Sequence, residues 1–358
     1  MKIINVTETF LPPIEEYQKM LEPLWESRHV TNQGKYVQEL DKQLKGYLEV
    51  PYFSFVSNGT MAIQIALRAL GITEGEIITT PFSYVATATS ILWENCKPVF
   101  VDIDPATFCM NPLLIEQSIT PRTRAILPVH VYGLPCDVQK IGEISQKYGL
   151  PVIYDAAHAF GVRYKGRSLL DYGEIATCSF HATKLFHTVE GGAIVSHDEK
   201  VANAVDLLRR FGHTGDEYFC LGINGKNSEF HAAMGLLNYK YLPQIIRERK
   251  LASDYYDSQL GTLLARPLFP EGLEYNFAYY PVITESKDET HAIIQALNKV
   301  NIFPRRYFYP SLNTLHYVNG ESCPASEEAS SRVLCLPLFA GLSEEDQELI
   351  CKTILDAR

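Results

Sequence analysis

The chain has no CxxC pair, no GxxxxGK, no GxGxxG, no internal repeat and no low-complexity tract. Without the first, the eight cysteines, spread singly at 96, 109, 136, 178, 220, 323, 335 and 351, do not form a zinc or dithiol motif. Most sit in apolar runs, which suits buried free thiols in a reducing compartment. Without the next two, neither a P-loop nor a dinucleotide fingerprint is present. No stretch approaches 18 uninterrupted apolar residues, so no spanning helix and no membrane partner are expected. The opening MKIINVTETFLPP lacks the apolar core of a signal peptide. A soluble, cytoplasmic protein is the expectation. Positive charge is also short, with 32 Lys and Arg against 42 Asp and Glu and a formal net charge of -10. No nucleic-acid partner is expected, although a local basic pocket for an anionic ligand remains compatible with that balance.

What is present is ordinary globular composition, 46% apolar and 21% charged over 358 residues. Collagen-like, mucin-like and broadly disordered readings are thereby excluded. The length suits one large domain with a smaller companion.

Two helices are expected first, over 14–21 and 35–50. In the second, Val37, Leu40, Leu44 and Leu48 share one helical face. Short apolar strands follow at 52–56, 76–80, 98–102, 124–129, 151–155, 175–180 and 192–196. Helices at 61–70, 82–93 and 138–148 alternate with them. That alternation predicts an α/β fold around a mostly parallel sheet. The pattern stops near 240. A polar helix over 245–260, an aromatic strand-like run over 275–283, a helix over 290–300 and a closing helix over 343–356, capped by Ser343, predict a smaller α+β domain. The expected division is 1–245, a large domain with N-terminal helices, and 246–358.

Polar residues punctuate the strand ends, where ligands of such sheets collect. Ser57-Asn58-Gly59-Thr60 joins a strand to a helix, and backbone N–H groups there can hold an anion; alone, it is equally a helix cap. Asp155 ends a strand and precedes Ala-Ala-His158. A carboxylate there can pair with the protonated ring nitrogen of a pyridoxal cofactor, or cap the next turn. His158 alone suits a structural hydrogen bond better than a metal ligand. Lys184 follows Ser179 in SFHATKLFHTVEGG, and an amine held among apolar residues can form a Schiff base; a solvated surface lysine is the competing reading. His181 and His187 supply no third ligand, so no metal is expected. Asn224, Lys226 and Ser228 by themselves look like a loop and a cap.

Taken in chain order, segments 56–60, 81–87, 98–102, 128–133, 155–161, 179–192 and 222–233 resemble the DegT/DnrJ/EryC1/StrS family of pyridoxal-phosphate-dependent sugar aminotransferases. The resemblance implies a type I, aspartate-aminotransferase-like fold, pyridoxal 5'-phosphate as cofactor, and a homodimer with shared active sites. It implies Lys184 as the internal aldimine lysine and proton shuttle, and Asp155 as the partner of the pyridine nitrogen. Tyr84 matches the residue stacked on the ring, and His158 a position near the ring hydroxyl. Gly59, Thr60 and Ser179 match the phosphate cradle, and Asn224 the asparagine contributed by the neighbouring subunit.

The family's usual Asn-Tyr-Arg-Met is Asn224-Gly-Lys226-Asn here, so Lys226, a substrate-binding candidate, keeps the charge without the guanidinium fork. The form FHATKxFxTxEGG resembles a subgroup that aminates a 4-keto-6-deoxy sugar nucleotide. That implies transfer from L-glutamate to dTDP-4-dehydro-6-deoxy-D-glucose, forming dTDP-4-amino-4,6-dideoxy-D-glucose for surface polysaccharide. Arg305, Arg306 and Tyr309 are candidates for holding the nucleotide diphosphate, and His187 and Glu190 for lining the sugar site. A 3-keto or UDP-linked acceptor, a dehydratase (in which a histidine replaces the lysine) and a non-catalytic binding protein stand as alternatives.

Overall fold

A period of two along the central strands decides the layering. In the computed structural model, which describes residues 2–318 and 320–358, seven strands build one sheet. They are β1 (Tyr52–Val56), β2 (Gly75–Thr79), β3 (Cys96–Phe100), β4 (Thr123–Leu127), β5 (Ile153–Asp155), β6 (Ile175–Ser179) and β7 (Gly192–Ser196). Their order is β1-β7-β6-β5-β4-β2-β3, with β4 and β5 joined by parallel bridges at Ile126–Val152 and Val129–Asp155. Neighbours run parallel except at β7, which is antiparallel to both β1 and β6. The expected mostly parallel sheet is therefore found.

Successive strand residues point to opposite faces. Val56, Ile77, Ala125, Ile153, Ile175 and Ile194 pack on one side of the sheet, with Ile63 and Leu67 of helix Gly59–Ala69. Phe55, Ile78, Ile126, Tyr154, Ala176 and Val195 pack on the other, with Leu40 and Leu44 of helix Lys35–Leu48. Both faces are covered, as parallel sheets require. In chain order the helices of this layer system are α1 (Ile14–Ser27), α2 (Lys35–Leu48), α3 (Gly59–Ala69), α4 (Val85–Trp93), α5 (Val138–Tyr148), α6 (Glu199–Leu208) and α7 (Glu229–Leu260). The four-residue face read on α2 is fully buried. Each such side chain contributes about 1.5–3 kcal/mol relative to exposure.

A second core gathers Tyr256, Leu260, Tyr280, Val282, Ile293, Leu297, Leu334, Leu336 and Ile350. It is built from the end of α7, strands β8 (Tyr280–Ile283) and β9 (Val333–Leu336), and helices α8 (Lys287–Lys299) and α10 (Glu344–Asp356), while α9 (Pro324–Arg332) packs Ala329 into the first core. Ser343 caps α10 by accepting from Asp346 N at 3.2 Å.

Two features of the structure cross the expected division at 245. Helix α7 runs unbroken through that residue, with Pro243 inside it, and serves both cores. Ile4 pairs in parallel with Ile302 and packs in the second core, so the first residues belong with the C-terminal unit. No helix among the described residues is long and apolar enough to cross a membrane. All eight cysteines are unpaired, and all but Cys220 are buried.

Candidate active site

Strand ends β5 and β6 and the start of α3 border a cavity of about 610 Å³. Its lining includes Gly59, Thr60, Tyr84, Asp155, His158, Ser179, Lys184, Glu190 and Arg305. Nine of the residues singled out in the sequence thus converge on one space.

Helix α3 starts there because Asn58 caps it, its Oδ1 accepting from Met61 N at 2.8 Å. The N–H groups of Gly59 and Thr60, in the first turn, have no intrahelical acceptor by helix geometry. They open beside Ser179. A Cβ on Gly59 would lie 2.9 Å from the Ser179 Cβ, so only glycine lets the two segments close into one cradle. Two free N–H groups, a helix dipole and a hydroxyl suit a phosphate.

Asp155 is 5% exposed. Burial pushes its carboxyl above the usual range, while Thr87, the Ala157 N–H and Lys184 pull the other way. Thr87 Oγ1 donates to Oδ2 at 2.8 Å, and Ala157 N to Oδ1 at 3.1 Å. These donors favour the ionised form, which a protonated ring nitrogen would stabilise further. Thr87 lies on α4, 68 residues away, and sequence reading gave it no role.

Lys184 follows the tight turn after Ser179. Burial lowers its amine below the ordinary lysine range, and Asp155 offsets part of that. Its Nζ donates to the Tyr279 hydroxyl at 3.3 Å. His158 is buried, with Nδ1 accepting from Tyr132 N at 3.2 Å and the ring stacked on Phe308. Burial, then the Lys184 charge, holds it well below the usual histidine value, so it is neutral. Tyr84 stands 59% exposed on the wall. Glu190 lies there too, 3.6 Å from the ring of His181.

Five candidates are placed elsewhere. His187 is 1% exposed, its Nε2 against the Phe10 carbonyl at 2.7 Å and its backbone carbonyl bonded to Asn238; it anchors the N-terminal segment instead of lining a sugar site. Arg306 donates to the Ser330 and Ser331 carbonyls near the end of α9, with its guanidinium 3.5 Å from the centre of the Tyr309 ring. Both side chains of that pair are therefore engaged with each other and neither lines the cavity. Asn224 and Lys226 bond to each other at 2.7 Å and stand off this chain's own cavity wall. Conversely, Thr87, Tyr279, Tyr307 and Phe308 line the cavity unforeseen; the aromatic run around 275–283 hinted at Tyr279 alone.

The profile of the DegT/DnrJ/EryC1/StrS aminotransferase family matches residues 13–355. The chain belongs to that family. A dTDP-4-amino-4,6-dideoxy-D-glucose transaminase from Shigella dysenteriae is 44% identical, covering 100% of both chains. One of the same description from Escherichia coli is 39% identical over 99% of this chain and 98% of that one. A GDP-perosamine synthase from Escherichia coli O157:H7 is 32% identical over 99% and 98%. Among solved structures, DesI in the presence of its TDP-sugar product superposes with a TM-score of 0.93 at 27% identity, covering 99% of this chain and 93% of that one. NtdA from Bacillus subtilis with bound cofactor PMP gives 0.89 at 30%, covering 96% and 81%. This family member is a pyridoxal-phosphate-dependent sugar-nucleotide aminotransferase of fold type I.

Proposed function

We propose that the enzyme moves the amino group of L-glutamate to dTDP-4-dehydro-6-deoxy-D-glucose, giving dTDP-4-amino-4,6-dideoxy-D-glucose and 2-oxoglutarate. The observation that carries this reading is the full-length identity of 44% with a transaminase of that description. In net terms the sugar exchanges a carbonyl oxygen for the amino nitrogen.

The cavity residues divide the work. The N–H groups of Gly59 and Thr60 and the Ser179 hydroxyl would hold the cofactor phosphate. Asp155, whose carboxylate accepts from Thr87 and Ala157, would pair with the protonated ring nitrogen. Tyr84 would cover a ring face, and the Nε2–H of neutral His158 would be available to the ring hydroxyl. When bound, pyridoxal phosphate supplies the electron sink that lets a proton leave the donor's α-carbon. Lys184, with its amine lowered by burial, takes that proton and returns it. Arg305 is the one guanidinium among the described cavity residues and holds an anionic group of the substrate.

We also infer a homodimer in which Asn224 and Lys226 reach the partner subunit's cavity. Their own cavity does not use them, and the preceding segment exposes Tyr218, Phe219 and Leu221.

The deciding assay is incubation with L-glutamate and a panel of dTDP-, GDP- and UDP-linked 4-keto and 3-keto sugars, with products identified by mass and NMR. Turnover confined to a GDP- or UDP-linked acceptor would overturn the substrate assignment. Mixing Lys184→Ala chains with Asn224→Asp chains tests the shared site. Hybrid dimers hold one intact site, so activity should return, and a mixture as inactive as its parts counts against sharing.

A further inference from the structure

Residues 275–279 lead into β8 and bring Tyr279 to the cavity, and hydrogen bonds hold this segment from three sides. Tyr275 Oη donates to the Tyr132 carbonyl at 2.9 Å. Asn276 Nδ2 donates to the His158 and Phe160 carbonyls at 3.0 and 2.9 Å, and its Oδ1 accepts from Ala278 N at 3.0 Å. Arg249, 4% exposed on α7, donates to the Phe277 and Ala278 carbonyls at 2.9 and 2.6 Å. The Tyr279 ring that follows meets His158 and Tyr307 edge to face, at centroid distances of 5.0 and 5.8 Å. Its position is therefore over-determined. Its hydroxyl ends 3.3 Å from Lys184 Nζ, the one side-chain hydrogen bond that amine makes among the described residues.

We propose that Tyr279 is the positioning residue for Lys184, its hydroxyl holding the lysine amine inside the cavity whenever that amine is free. This rests on the reading of Lys184 as the group that takes up and returns the proton. A lysine head on a flexible four-carbon stem is free to adopt many rotamers. The free amine must come back to one place in each half of the reaction, and misplacement by about 1 Å is enough to lose a hundredfold in rate. Asp155, Cys178, Tyr307, Tyr84 and His158 also act electrostatically with the amine, yet none of them is hydrogen-bonded to it.

The test uses Tyr279→Phe, which keeps the ring and removes one oxygen. In cofactor-free protein, acetylation of Lys184 by acetic anhydride is followed against pH by mass spectrometry. The ammonium form loses its acceptor in the variant, so its apparent pKa falls and labelling near neutral pH rises about fivefold. In the loaded enzyme kcat falls about tenfold while KM for both substrates stays within about twofold. Tyr279→His, which restores a polar atom, should recover part of both effects. A labelling profile and kcat like the wild type in Tyr279→Phe would overturn the proposal, as would a loss that merely follows a lowered Tm. Borohydride trapping of wild-type holoenzyme checks the underlying reading separately. A label missing from Lys184 would sink that reading, while the labelling of cofactor-free protein judges the hydrogen bond by itself.

Discussion

Replacing Gly59 by alanine puts the phosphate cradle to a quantitative test. The added Cβ would lie 2.9 Å from the Ser179 Cβ and 3.3 Å from its Cα and Oγ. Carbon atoms pack best at about 3.5–4.0 Å, so the two segments must part by roughly 0.6 Å or more. Overpacking of that kind costs about 1–3 kcal/mol. Alanine returns up to about 1 kcal/mol through helix propensity, because Gly59 opens α3. Folding should thus survive, with a net loss of about 3 kcal/mol or less. The cradle fares worse. A hydrogen bond to a charged group contributes about 1.5–3 kcal/mol, so loss of one weakens cofactor binding by about tenfold to a hundredfold. Cofactor titration into apoprotein, followed by fluorescence, measures this beside a thermal melt. Gly46→Ala is the matched control. It sits in α2 with nothing within 4 Å of the new Cβ, and it should stabilise slightly without touching affinity. A folded Gly59→Ala protein that binds pyridoxal phosphate as tightly as wild type would refute the cradle.

Asp155→Asn separates stability from function. Burial raises the native carboxyl above its unfolded value, so the native state prefers the proton. The stability associated with that proton is complete below the ordinary carboxylate range and is lost as pH rises through the native value. Melts of cofactor-free protein from pH 4 to 8 should show the asparagine variant gaining on wild type as pH rises, while its turnover is almost abolished; parallel curves contradict this. Arg305→Ala should raise the substrate KM about tenfold or more with cofactor affinity unchanged. Arg306→Ala should lower Tm instead, since its guanidinium is bound to the Ser330 and Ser331 carbonyls and to the Tyr309 ring. Steady-state kinetics with melts on both variants distinguishes the two, and reversed effects would show the placement to be wrong.

The elements were largely legible where one local rule acts alone. The buried face of α2 follows from spacing, and α3 begins two residues earlier than its apolar pattern because Asn58 caps it. The long helix was not legible as one piece. Asn238, Lys240 and Pro243 interrupt its apolar pattern, and proline disfavours a helix interior. Packing of α7 against α1, α2 and α10 overrides that preference, and Asn238 is buried against His187. His187 misled for a related reason. Three residues from Lys184, it looks like a neighbour of the site, but the turn directs the two side chains to different surroundings.

By itself the sequence determined what acts over short stretches: strand and helix types, the N–H groups awaiting an anion after Asn58, and the motifs that mark an aminotransferase lysine and its carboxylate. Which groups complete the site is a question of contacts between segments far apart in the chain. Thr87 reaches Asp155 across 68 residues and Tyr279 reaches Lys184 across 95. Those pairings exist only once the sheet order and the second core bring their backbones together, since no local preference of either partner encodes the other's position.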